Sequence, residues 1–301
     1  MRKIQKTLTL VTAIGLLSVG LATPSVAVVN GENSKKWNGF TVGLHSTDRV
    51  EASKNLTDHS ENFYSQFCGG SLISPTVVAT AAHCVVSLKN FKFQEPILPE
   101  KLLIGYGNDL DDKNYKTVTV AKIDVHPQYH TESLLHDIAL ITLNEPIANS
   151  EPLALDTPNS KESTAKSKAY IYGWGGLGQE DYNYGENFPN ILQKGLVYIT
   201  PKGNCGGNRI FKINGVKVYP LVNPELEANP ETTLCAIGVD KEKQHIDSCG
   251  GDSGGSLVDA KQKTLLGVTS WGHGCQGSSP GAYTKISYYR DFITNTINQQ
   301  E

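Results

Sequence analysis

The nine residues DSCGGDSGG, at 247–255, place Ser253 close to two carboxylates, Asp247 and Asp252, with four glycines and almost no side-chain bulk around it. A serine hydroxyl becomes a nucleophile only when a base takes its proton and a third group orients that base. Eight histidines could supply the base. His83, in TAAHC, stands where an apolar run turns, a setting in which a charged imidazole is costly unless it is used. Asp137 heads the apolar run DIALITL (137–143), where a carboxylate would be partly buried. Each signal alone is weak. Together, in the chain order His, Asp, Ser, they fit a general base, its orienting acid and a nucleophile for acyl transfer. The flanking glycines let backbone approach a substrate without Cβ interference and adopt angles closed to other residues.

Such groups act only if separate elements carry them to one place, and the patterning predicts strands. KTVTVAKIDV (116–125) alternates Val118 and Val120, then Ile123 and Val125, the period of a half-buried strand. Short apolar runs bounded by turn residues recur at 71–74, 101–105, 137–143, 168–174, 194–200 and 264–271. Only two places read as helical: a single turn in TAAHC (80–84), and 288–299, where Tyr289, Ile293 and Ile297 recur every four residues. The polar stretch 148–166 reads as the linker between two halves. Many short strands with turn signals imply an all-β sandwich or barrels.

Composition narrows the class further. Among 301 residues, 29 glycines and 14 prolines favour a turn-rich all-β chain. A formal charge of −3 and no basic run argue against a nucleic-acid partner. Arg2, Lys3 and Lys6, the apolar run 8–22 and the small-residue site Ser25-Val26-Ala27 together form a secretory signal peptide, 1–27, too short to span a membrane. The alternative is a cut after Ala22 followed by loss of a short propeptide, 23–27. Cleavage after Ala27 exposes Val28 and takes the formal charge from −3 to −6, leaving no pull toward anionic membranes. Six cysteines in an exported chain argue for three disulfides, with fifteen pairings open. There is no CxxC, so no metal or other cofactor is expected.

The motifs TAAHC, HDIAL, YGWG, DSCGGDSGGS, TSWGHGC and PGAYTKI stand in the order of the trypsin/chymotrypsin family of serine endopeptidases, which the chain resembles over nearly all of 28–301. The resemblance implies two six-stranded antiparallel β-barrels, about 28–150 and 165–285, with the active site between them and a C-terminal helix at about 286–299. It casts His83 as base and acid, Asp137 as its orienting carboxylate and Ser253 as nucleophile. It assigns the oxyanion hole to the amides of Gly251 and Ser253, and a hydrogen bond to Asp137 and substrate binding to Ser270. Asp247 resembles the carboxylate at the floor of the primary specificity pocket, with Gly272 and Gly281 as open walls. That combination implies cleavage after Arg or Lys. A free Val28 amine would pair with Asp252. Bridges Cys68–Cys84, Cys205–Cys235 and Cys249–Cys275 follow from the same likeness.

Several features depart from the family pattern. Segments 46–66, 86–100, 176–190 and 207–231 lengthen loops, Ser256 replaces a proline, and Gly250 replaces a larger residue at the pocket entrance. The acidic stretch 107–113 lies where some family members bind calcium, but the paired glutamates are missing and solvated acids are the expectation. Asn55-Leu56-Thr57 is a glycosylation sequon of use only in a eukaryotic pathway. The expected partners are Arg- or Lys-containing proteins and peptides and proteinaceous inhibitors of serine proteases, met outside the cell by a monomer. The rival reading is a catalytically silent secreted binding protein on the same scaffold. Such proteins lose a triad member or the oxyanion glycine, and this chain keeps His83, Asp137, Ser253 and Gly251.

Overall fold

The computed structural model describes residues 28–298 apart from 88–94, 179–187, 224, 225, 227 and 276. The signal peptide and the cut sites after Ala22 and Ala27 lie outside the described residues, as do parts of the lengthened segments 86–100, 176–190 and 207–231. No helix among the described residues is long and apolar enough to cross a membrane.

Twelve strands build two barrels. The first holds β1 (Thr41–Ser46), β2 (Gln66–Ser74), β3 (Val77–Thr80), β4 (Leu102–Tyr106), β5 (Lys116–Val125) and β6 (Ala139–Leu143). It closes in the order β1-β2-β3-β6-β5-β4, with all pairs antiparallel. The second holds β7 (Lys168–Gly173), β8 (Gln193–Ile199), β9 (Thr233–Val239), β10 (Ser256–Asp259), β11 (Thr264–Trp271) and β12 (Gly281–Lys285). It runs β8-β7-β10-β11-β12-β9 and closes through pairing of β9 with β8.

The sequence pattern of β5 explains its shape. Val118 and Val120 point inward and are buried, then the apolar positions change phase to Ile123 and Val125. The register against β6 shifts between Val120 and Lys122, so the phase slip is a bulge that bends the strand around the barrel.

Two expectations need correction and one gains detail. Residues 28–33 belong to the second barrel, so the first begins at Thr41. Glu32–Asn33 pair with Gln193–Lys194 of β8, and Val28 is buried in a core with Ala169, Ile171 and Leu257. The stretch 148–166 joins the two barrels as expected, and it is packed along its way. Ala154–Leu155 pair in parallel with Thr264–Leu265, and Leu153 donates its N–H to Leu72 O in the first barrel. The segment 46–66 holds two helices, α1 (Thr47–Ser53) and α2 (Glu61–Ser65), which accompany the strands rather than extend a loop. Ser46 and Ser60 cap them by accepting the N–H groups of Arg49 and Phe63.

The C-terminal helix α3 spans Arg290–Asn298. Residues 286–289 precede it as a turn, because Ile286 N–H is held by Leu266 O of β11. Tyr289 and Ile293 are buried against the first barrel's core and Ile297 packs beside it, as the spacing predicts. Arg290 donates to the carbonyls of Leu155 and Asp156, pinning the helix to the crossover.

Candidate active site

His83 lies on a single 3-10 turn, Ala82–Cys84, at the end of β3. Asp137 sits just before β6, the strand that pairs with β3, so sheet register brings the two together. His83 Nδ1 donates to Asp137 Oδ2 at 2.8 Å, and the His83 backbone N–H donates to Oδ1 at 2.9 Å. Ser270, on β11 of the second barrel, donates its hydroxyl to Oδ2 at 2.5 Å. Thr284 of β12 adds a bond to the Asp137 carbonyl at 2.7 Å. Asp137 is 1% exposed, and this donor set keeps its buried charge satisfied. The proton on Nδ1 leaves Nε2 with its lone pair. Burial works against a charged His83 ring, but the charge and hydrogen bond of Asp137 outweigh it and hold the pKa above the ordinary histidine value.

Ser253 is held by backbone packing against the strands that lead to His83. Its carbonyl accepts Gly69 N–H at 2.7 Å. Next to it Gly254 has φ +79°, and a Cβ there would meet Thr80 Oγ1 at 2.2 Å, Gly69 O at 2.5 Å and Ala81 N at 3.1 Å. Only glycine can press this turn onto the residues leading into His83. Gly251 has φ +95°, and its carbonyl accepts Gln66 Nε2 at 3.0 Å. Nothing in the sequence marks Gln66, because an amide next to a strand's first residues carries no motif.

Asp247 is 2% exposed and its Oδ1 accepts Ser248 N–H at 2.9 Å. A Cβ on Gly281 would lie 2.9 Å from that oxygen, and one on Gly272 would face Gly281 Cα at 3.8 Å. The two expected wall glycines therefore lie in one cluster with the acid, Gly281 against its carboxylate and Gly272 against Gly281. A Cβ on Gly250 would meet nothing within 4 Å, so the position is open. Burial pushes the Asp247 carboxyl well above the usual range, the Ser248 N–H opposes this, and the nearby Asp252 charge adds to it.

Asp252 turns the other way, with Oδ1 accepting Gly175 N–H at 2.8 Å and Oδ2 accepting Cys249 N–H at 3.0 Å. A Cβ on Gly173 would lie 2.0 Å from Oδ1. Burial pushes its carboxyl up to about 6 against those two donors. Val29 bridges to Asp247, which brings the Val28 end of the chain beside this segment.

The three disulfides join Cys68 to Cys84, Cys205 to Cys235 and Cys249 to Cys275. Cys68, His83 and Cys84 also cluster within metal-ligand distance, but both sulfurs are in the bridge and offer no thiolate. The acids of 107–113 turn to protein partners: Asp111 to His59 and Ser60, Asp109 to Asn190.

The sequence profile of the trypsin family matches residues 29–293. Trypsin-3 of Salmo salar is 32% identical over 252 residues, 82% of this chain and 91% of that protein. Anionic trypsin of Canis lupus familiaris is 30% identical over 284 residues, 94% and 97% of the two chains. A bacterial trypsin, from Saccharopolyspora erythraea, is 31% identical over 235 residues, 77% and 88%. Among solved structures, mouse neuropsin, a serine protease expressed in the limbic system of the brain, superposes with a TM-score of 0.61 at 26% identity, covering 86% of this chain and 94% of that one. The chain belongs to the trypsin family of serine proteases.

Proposed function

We propose that the protein is an exported endopeptidase that cleaves after Arg or Lys. The observation that supports the reading is the buried Asp247, with Gly281 packed against its carboxylate and Gly272 facing Gly281. Its carboxylate has a backbone donor, and a substrate guanidinium or ammonium supplies the missing positive charge. The chemistry follows from the His83–Asp137–Ser270 network. His83 Nε2 takes the Ser253 proton as Oγ attacks the scissile carbonyl carbon, and the amides of Gly251 and Ser253 hold the resulting oxyanion. Collapse breaks the C–N bond, and His83 returns the proton to the departing amine. Water then hydrolyses the acyl-enzyme by the same steps, with His83 again as base and acid.

Activation is the second part of the reading. A free Val28 amine pairs with Asp252 and orders the turn that carries Gly251. Export fits the leader at 1–27 and the three bridges. A fluorophosphonate, which labels only activated serines, tests the triad. Mass mapping of the label to Ser253, lost in His83→Ala, is the expected result. Labelling that is absent in protein shown by N-terminal sequencing to begin at Val28 contradicts it.

A further inference from the structure

A groove of about 680 Å³ lies away from the triad and the Asp247 cluster and shares no lining residue with them. It is walled by the chain before β1, by the crossover at Asn149 and Glu151, by Lys194 of β8 and by the β10–β11 turn. Five lysines face it: Lys35, Lys36, Lys194, Lys261 and Lys263, against two acids, Glu32 and Glu151. Lys194 pairs with Glu32 and Lys263 with Glu151. The ammonium groups of Lys35, Lys36 and Lys261 have no ion-pair partner among the described residues, and all three residues are exposed. Five lysines against two acids leave the groove positive on a chain whose net charge is negative.

No lysine run announces this. Lys35 and Lys36 lie more than two hundred residues from Lys261, and the groove exists only because the chain's entry lies against the second barrel. Its remaining wall mixes the rings of Trp37, Phe40 and Tyr172 with amide side chains. Half-buried Trp37 packs on Tyr106 and donates Nε1–H to Thr41 O, and Asn33, Asn149 and Gln262 also line the groove. Gln262 fixes its carbonyl by accepting the Tyr172 hydroxyl, which leaves its NH₂ as a donor. Amide groups and spaced ammonium groups match a ligand rich in hydroxyls and regularly spaced anions.

We propose that this groove binds an acidic polysaccharide, bearing sulfate or carboxylate groups, and tethers the protein to it. The site stands on the fold and does not depend on the protease reading. The test is binding of a fluorescent heparin oligosaccharide to full-length Ser253→Ala protein at about 150 mM salt. The combined Lys35→Glu, Lys36→Glu, Lys261→Glu variant should weaken binding about tenfold or more. The control triple Lys113→Glu, Lys217→Glu, Lys241→Glu, at exposed sites elsewhere, should leave it unchanged. The fall of log affinity with log salt should flatten by about three in the groove variant. Polyphosphate and polyglutamate serve as comparison probes and should bind more weakly. Equal loss in both triples, or no saturable binding, overturns the proposal. Polyphosphate or polyglutamate binding as tight as heparin overturns the assignment to a polysaccharide.

Discussion

Asp137 shows how one side chain sets the properties of another. It receives three donors, one of them from the opposite barrel, and holds the His83 proton on Nδ1. The raised His83 pKa gives a signed prediction. The base must be neutral, so kcat/KM should fall as pH drops through a value above the ordinary histidine 6.5. A stopped pH profile whose acidic limb lies below 6 contradicts this. Asp137→Asn keeps the shape but donates where it should accept, and kcat should drop about ten-thousandfold. The meeting of His83 with Asp137 was readable in the sequence because each stands in a short motif at the end of a strand. Gln66 was not, because its amide acts on Gly251 O across 185 residues and no local pattern encodes such a contact.

At the scale of elements, the turn carrying Ser253 depends on close backbone packing. Gly254→Ala forces a Cβ into Thr80 Oγ1 and Gly69 O at a left-handed backbone angle. Such a clash should cost about 1–3 kcal/mol of stability, read as a lower urea midpoint, and should reduce fluorophosphonate labelling. Gly281→Ala differs: its Cβ meets the Asp247 carboxylate, so KM for Arg substrates should rise while the fold survives. The strands were legible where alternation was clean, and even the β5 bulge was written as a phase change. The helices α1 and α2 were not, because seven and five residues are too few for a 3.6-residue period to stand out. Their signal was the capping serines, Ser46 and Ser60. The turn of the 211–218 hairpin was marked more plainly, by Asn214-Gly215, both at positive φ.

At the scale of the molecule, the barrels are tied together by their ends. The chain enters through the second barrel at Glu32–Asn33, and α3 leaves against the core of the first. The sequence signalled two halves and the C-terminal helix but not this exchange, since periodicity shows which face of an element is buried and not which barrel buries it. It has a consequence for activation. Asp252, pushed up to about 6 by burial, is favoured in its neutral form while no cation faces it. Its stabilising contribution is present in acid and lost as pH rises through about 6. A free Val28 amine compensates the charge, so the Tm of the Val28 form should exceed that of a form retaining residues 23–27 by a margin that widens from pH 4 to 7. Forms without the ammonium lack a buried pair worth about 3–5 kcal/mol when broken, so kcat/KM should be roughly a hundredfold lower or worse. The most direct measurement is hydrolysis of chromogenic peptides differing only in the residue before the scissile bond, by protein confirmed to begin at Val28 and by its Ser253→Ala and Asp247→Ser variants. Cleavage confined to Arg and Lys, abolished by Ser253→Ala and stripped of its preference by Asp247→Ser, is the predicted result. Cleavage after apolar residues, or an unchanged Arg and Lys preference in Asp247→Ser, contradicts the account.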